Sequence, residues 1–122
     1  MPITMNAYQP GSHIIATLES GSAHLLDTYE GFRDFITQLI QRYELQELGA
    51  VYHNFTPSGF TAVLCLSESH ISIHTWPEHQ KINLDIYLSN YLRDNDGTVD
   101  ALWEAMVAYF DASVLGYQKI RR

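Results

Sequence analysis

The sequence predicts an α+β fold, a two-layer sandwich in which a mainly antiparallel sheet carries two helices on one face, in the order β-α-β-β-β-β-α-β. Three observations lead there. Apolar and polar residues alternate along Ser69–Trp76 and Ile82–Ser89, as strands with one buried face require. Phe32, Phe35, Ile36, Leu39, Ile40 and Tyr43 recur instead at helical spacing. The middle strands are separated by short turns, and consecutive strands joined that way pair antiparallel.

In chain order, His13–Leu18 is β-branched and apolar, a first strand. Asp27 followed by Glu30 resembles a capping box, which opens a helix over 27–44 with its apolar stripe against the core. Ala50–Phe55 and Phe60–Leu66 flank Pro57-Ser58-Gly59 and read as a hairpin with a longer loop. On the strand Ser69–Trp76, residues Ser69, Ile71, Ile73 and Thr75 face one way, and His70, Ser72, His74 and Trp76 the other. The next strand sets Ile82, Leu84, Ile86 and Leu88 against Asn83, Asp85, Tyr87 and Ser89. Thr98 caps a second helix whose buried stripe is Leu102, Trp103, Met106, Tyr109 and Phe110. Val114–Ile120 is a last strand. Two helices cover one sheet face only, so a homodimer is expected to cover the other.

Composition narrows function. The 122 residues form one domain, 1–122, long enough to bury a core without metal or disulfide staples. Seven Lys+Arg against 14 Asp+Glu give a net charge of −7, which offers no broad cationic field to nucleic acid and suits a cationic small molecule better. A single cysteine favours a reducing compartment. Met1–Ser12 has no basic segment followed by an apolar one, and no apolar run is long enough to span a membrane, so a cytoplasmic protein without membrane partners is expected. The only lysines are Lys81 and Lys119, in a chain too short for the folds that hold pyridoxal phosphate.

The chemistry concentrates in Ser67–Glu78, SESHISIHTWPE, with its hydroxyls, imidazoles, carboxylates and an indole. A strand that only built a core would not carry so many polar groups, because each one buried without a partner costs about 1–3 kcal/mol. His70 and His74 as satisfied strand histidines, Trp76 as core and Glu78 as a solvated strand end remain open beside any functional reading. The spacing of His70 and His74 matches a zinc signature only on a helix, and this segment is a strand, so no metal is expected. Ser69 lacks the flanking glycines of a hydrolase nucleophile elbow.

SESHISIHTWPE resembles the processing and active-site motif of the prokaryotic S-adenosylmethionine decarboxylase proenzymes, small pyruvoyl-dependent enzymes of spermidine biosynthesis. The upstream HNFTPSGFTAVLCL of His53–Leu66, the strand Asn83–Tyr87 and the start at Gly11-Ser12-His13 are also similar, so the likeness covers nearly the whole chain. The resemblance implies a carboxy-lyase acting on a small molecule. Decarboxylating an amino acid leaves a carbanion that needs a carbonyl electron sink. In the family, the motif serine makes that sink from the backbone. Ser69 would attack the carbonyl of Glu68, and the chain would part into 1–68 and 69–122 with a pyruvoyl group derived from Ser69.

By the same resemblance His74 removes the Ser69 α-proton, Thr61 assists the acyl shift by hydrogen bonding, and His70 is an orienting neighbour. Phe55 would stack on the adenine, Trp76 and Ile71 would line the substrate pocket, and Glu78 would hold the ribose hydroxyls. Asp85 matches a family aspartate. The match breaks at Ser89, where the family carries a cysteine that donates a proton, and at Asn90, usually glycine. A serine there would serve to position a water, but it cannot replace the cysteine as an acid, being far weaker than a thiol of pKa about 8.5. Tyr91–Asp100 is longer and more acidic than the family pattern, and the lone Cys65 reads as core. A pyruvoyl-dependent decarboxylase of ornithine or arginine, and a non-catalytic homologue, stay open as alternatives.

Overall fold

A computed structural model describes residues 8–91 and 93–122; most of the segment read above for a leader lies outside them. The chain runs β1 (Ser12–Ser20), α1 (Glu30–Arg42), β2 (Glu47–Asn54), β3 (Phe60–Leu66), β4 (Ser69–Trp76), β5 (Lys81–Leu88), α2 (Asp96–Tyr109) and β6 (Ala112–Arg121), with short 3-10 turns at Ala23–Leu26 and Pro77–His79. The six strands form one sheet in the order β2-β3-β4-β5-β1-β6, every neighbouring pair antiparallel. The expected α+β sandwich and its element order are observed.

Alternation sorts the sheet into two faces. Ile14, Ala16, Leu18, Phe60, Ala62, Leu64, Ile71, Ile73, Ile82, Leu84 and Ile86 point to one side and pack with Phe32, Ile36 and Leu39 of α1 and Val99, Leu102 and Met106 of α2. Phe32 is central, its ring 5.6 Å from Phe60 and 6.2 Å from Phe110. Truncating a buried Phe of this kind costs about 3–5 kcal/mol. Among the described residues the opposite face has no helix, and it exposes Ile15, Val51, Val63 and Ile120.

Element boundaries moved where side chains found tertiary partners. Asp27 does not cap α1, which starts at Glu30 after Tyr29; the Tyr29 N–H is taken by Asn54 Oδ1 at 2.8 Å, and Asn54 also donates to Glu30 at 3.0 Å. Thr98 lies inside α2, which begins two residues earlier with Asn95 as its boundary residue. Cys65 is exposed on the open face rather than core, because β3 alternates and Cys65 falls out of phase with buried Leu64 and Leu66. Gly11 is held by sterics: a Cβ there would meet the Leu88 carbonyl oxygen at 2.1 Å, where the chain start lies against the end of β5.

Candidate active site

Ser67 and Glu68 form the tight turn between β3 and β4, with Leu66 paired to Ser69. Such a turn favours glycine or asparagine, and this one has neither. The deficit appears at Ser69, whose φ of 138° is a conformation that L-residues rarely adopt. Strain of this kind costs about 1–3 kcal/mol and persists only where the surroundings over-determine it.

The surroundings here do so. The Glu68 carbonyl accepts a 2.7 Å hydrogen bond from the backbone N–H of Ser89. Its carboxylate is held by Arg93, through Nε at 3.1 Å and a terminal nitrogen at 2.9 Å, and by the side-chain amide of Asn95. Asn95, 1% exposed, also donates to the Ser89 carbonyl at 2.9 Å. Glu68, Ser69 and Ser89 therefore meet at one end of the sheet.

A second group gathers at the other end. Thr61 Oγ1 lies 2.6 Å from His74 Nδ1 and 3.4 Å from the Ile73 carbonyl. A hydroxyl has one proton. When it donates to Ile73, it accepts from His74 Nδ1–H and leaves Nε2 with a free lone pair, the form in which an imidazole is a base. Beyond His74 a pocket of about 400 Å³ opens, lined by Phe55, Thr56, Pro57, Trp76 and Glu78 among others. Trp76 and Phe55 are 49% and 50% exposed, each with a free aromatic face. The indole N–H donates to Asn83 Oδ1 at 2.7 Å, and Asn83 donates to Thr17 at 3.1 Å, which fixes the ring on the open face. Gly59, at φ 102°, turns the chain back between Phe55 and Phe60, its N–H bonded to the Asp27 carbonyl at 2.9 Å. The peptide between Thr56 and Pro57 is cis.

Ile71 belongs to neither group. It is fully buried on the helix side of β4, across the sheet from His74, so it cannot line the pocket; alternation already assigned it to that side. The remaining residues separate along the strand. His74 is five residues beyond Ser69 on β4, roughly 17 Å at the rise of an extended chain. Proton transfer needs about 2.6–3.2 Å between heavy atoms. Within one protomer His74 does not reach Ser69.

Between the two ends, the open face carries His13, His70 and Asp85 with ligand atoms within 4.8 Å of one another. Burial pushes the His70 imidazole below its ordinary range, helped by His13 and Arg122 and opposed by Asp85. The Arg122 guanidinium lies 3.3 Å from His13 Nδ1. Guanidinium only donates, so Nδ1 is the unprotonated nitrogen, and the hydrogen sits on Nε2, 3.5 Å from Asp85. A metal-bound imidazole has the reverse arrangement, with an N–H donated outward. The trio fits a polar cluster, not a metal ligand set.

Arg93, Asn95 and Asn83 were not singled out from sequence. Asn83 was visible on the polar side of its strand; Arg93 and Asn95 sit in a loop with no pattern to mark them.

A family model described as S-adenosylmethionine decarboxylase matches residues 12–122. The chain is 42% identical over 77 residues to the S-adenosylmethionine decarboxylase proenzyme of Archaeoglobus fulgidus, covering 63% of this chain and 69% of the relative. It is 30% identical over 112 residues to the proenzyme of that name from Picrophilus torridus, covering 92% and 83%. The crystal structure of the adenosylmethionine decarboxylase from Aquifex aeolicus superposes with a TM-score of 0.77 at 28% identity, over 95% of this chain and 91% of that one. With a strained serine at the exit of its motif turn and a match that runs from β1 to the last residue, the chain belongs to the S-adenosylmethionine decarboxylase family.

Proposed function

We propose that the chain is a pyruvoyl-dependent S-adenosylmethionine decarboxylase proenzyme that cleaves itself between Glu68 and Ser69 and supplies decarboxylated S-adenosylmethionine for spermidine biosynthesis. The observation that carries this reading is the local build of the scissile peptide: Ser69 at φ 138°, with the Glu68 carbonyl under the Ser89 N–H at 2.7 Å. That N–H aims at the oxygen where charge develops when a nucleophile adds to the carbonyl.

In the first step Ser69 Oγ adds to the Glu68 carbonyl carbon, the C–N bond breaks, and the hydroxyl proton ends on the Ser69 nitrogen. The product is an ester. A base then removes the Ser69 α-proton, and the main-chain carboxylate of Glu68, the new C-terminus of 1–68, leaves with the C–O electrons. Water hydrolyses the resulting dehydroalanine, releasing ammonia and leaving the pyruvoyl group on residue 69. The site at the β3–β4 turn fits such a group, because residue 69 is only half-buried at the start of β4. A pyruvoyl carbonyl supplies an electron sink for the carbanion left by loss of carbon dioxide. Phe55 and Trp76 offer faces for an adenine and for a sulfonium cation, and Glu78 offers acceptors for ribose hydroxyls. Two flanking aromatics favour this substrate over ornithine or arginine, which have no ring to stack.

The separation of Ser69 from His74 gives the dimer a chemical reason. An isologous pair of open faces, with the two-fold axis between them and running across the strands, reverses β4 of one copy over β4 of the other. The Ser69 end of one protomer then faces the end that carries His74 of the partner subunit, with its Thr61 and aromatic pocket. Each site would draw on both copies. A cytoplasmic setting accords with this chemistry; among the described residues no helix is long and apolar enough to cross a membrane.

Intact-mass analysis of purified protein tests the reading. Fragments 1–68 and 69–122 are expected, the second lacking a free amine. A complementation experiment tests the shared site. Ser69→Ala and His74→Ala chains each stay whole alone, and when co-expressed the His74→Ala chain is cleaved by virtue of its Ser69 and the partner's His74. If co-expressed chains both stay whole while wild type is cleaved, the shared site is wrong.

A further inference from the structure

The residue gripped most heavily near the scissile bond is Glu68, and the grip comes from the loop after β5. Arg93 reaches the Glu68 carboxylate with two nitrogens, at 3.1 and 2.9 Å. The same guanidinium donates to the carbonyls of Tyr43 at 3.3 Å and Glu44 at 3.0 Å, just past the end of α1. Asn95 is buried, and its amide bridges the Glu68 carboxylate and the Ser89 carbonyl. The Asn95 backbone is fixed in turn, its N–H donating to Asn90 Oδ1 at 2.7 Å. Arg93 and Asn95 thus converge on one side chain, and Arg93 is anchored in turn to the α1 exit.

This is more than α2 needs. At a helix start, an asparagine side chain ordinarily accepts from the N–H groups of the first turn. The Asn95 side chain makes no such bond, and the Asp96 N–H is served by Asp94 Oδ1 at 2.9 Å. The Asn95 amide has been diverted from capping to Glu68. Through the Ser89 carbonyl it also holds the residue whose N–H bonds the Glu68 carbonyl. Side chain and carbonyl of Glu68 are therefore tied to the same short loop, and Glu68 cannot turn without breaking both ties.

We infer that Arg93 and Asn95 are positioning residues for backbone cleavage: they clamp the Glu68 side chain so that its carbonyl stays under the Ser89 N–H and Ser69 is held in its strained conformation. The inference rests on the self-processing reading above. It assigns a use to the stretch Tyr91–Asp100, where the sequence departs from the family pattern. The clamp acts on the peptide and touches neither the attacking hydroxyl nor the substrate pocket. A displacement of about 1 Å at a reacting centre costs up to about a hundredfold in rate, so loosening Glu68 is expected to slow cleavage by about tenfold to a hundredfold.

The test is a time course of cleavage by intact mass on freshly purified full-length chains. Asn95→Ala and Arg93→Ala are each expected to be slowed by about tenfold or more, and Arg93→Lys to fall between Arg93→Ala and wild type. The decisive comparison uses Glu68→Ala, which removes what the clamp holds. Asn95→Ala added to Glu68→Ala should slow cleavage by clearly less than it slows wild type, the remainder being the Asn95 bond to the Ser89 carbonyl. If the two effects multiply instead, Asn95 acts as a structural residue of α2 and the clamp is wrong. Thermal melts identify any variant that fails to fold; Arg93 is a surface side chain, so its two variants decide the matter if Asn95→Ala unfolds. Wild-type rates in folded Arg93→Ala and Asn95→Ala overturn the clamp but leave self-processing intact. A wild type that never cleaves removes self-processing and the clamp together.

Discussion

Thr61 Oγ1 and His74 Nδ1 sit 2.6 Å apart across the β3–β4 ladder, opposite one another in register. The hydroxyl thereby controls which imidazole nitrogen carries the proton. Thr61→Val keeps the β-branched shape and removes that control, so cleavage should slow by about tenfold with the melting temperature nearly unchanged. Thr61→Ser restores the hydroxyl and should recover most of the rate. An intact-mass time course measures both, and a Thr61→Val protein that cleaves at the wild-type rate would reduce Thr61 to a strand residue.

Asn83 stands between Trp76 and Thr17, bonded to both. Asn83→Ala lets the indole swing; Asn83 lies opposite His74 in register, but its side-chain hydrogen bonds go to Trp76 and Thr17. The KM for S-adenosylmethionine is expected to rise about three- to tenfold while kcat holds, the signature of lost uniform binding. Carbon dioxide release against substrate concentration separates the two parameters; an equal fall in kcat would assign Asn83 to the chemical step.

The open face offers a direct test of assembly. Val63 is 45% exposed in a row with other apolar side chains on that face. A Glu at 63 meets its symmetry mate or apolar surface in any face-to-face dimer, and burying an unpaired charge is costly. Val63→Glu should sediment as a folded monomer and remain uncleaved. A variant that is monomeric yet processed would show that one protomer holds a complete site.

Asp96 ties the start of α2 to β1 and β6. Hydrogen bonds from Asn90, Arg121 and Ser12, outweighing partial burial, lower its pKa from 3.8 to about 2. A carboxylate with a depressed folded pKa stabilises the fold above its unfolded pKa, and the contribution fades as pH falls through the folded value. The window is therefore pH 3.8 down to about 2. Asp96→Ala should cost about 0.5–1 kcal/mol at pH 7, a modest figure because the side chain is 36% exposed and screened. The difference from wild type should vanish near pH 2. Urea melts at both pH values check it, and a deficit that persists at low pH would point to lost packing.

How much of this was legible in the sequence depends on the range of the interaction. β4 could be read whole, because alternation is local, and its buried face separated Ile71 from His74 correctly; including Ile71 in the pocket came from resemblance and ran against that pattern. The same pattern exposes Cys65, which a glance at an apolar run hides. The distance between Ser69 and His74 was available from counting along a strand, yet a motif compressed into twelve letters makes its residues look like neighbours. Arg93 and Asn95 were not legible. They meet Glu68 from 25 and 27 residues away, out of a loop with no periodicity. Asn95 reads in the sequence only as the first residue of an Asn95-Asp96-Gly97 turn signal, and Thr98 as the cap, because capping propensity ignores an amide recruited elsewhere.

Ser89 invites the last prediction. Its N–H serves the Glu68 carbonyl, a task any residue but proline can do, so replacing the side chain should leave cleavage unaffected while changing turnover. Carbanion quenching needs an acid. A thiol of pKa about 8.5 gives up a proton far more readily than an alcohol, so Ser89→Cys should raise kcat for decarboxylation by about tenfold or more with the processing rate unchanged. Cys65 lies on β3 opposite His70, one step from the Ser69 row and exposed. Cys65→Ser in the wild-type background should leave turnover as it was. The reverse result, a collapse of turnover in Cys65→Ser with no gain in Ser89→Cys, would mean that the proton donor has moved across β4 to β3, and that the serine at 89 is the trace of that move.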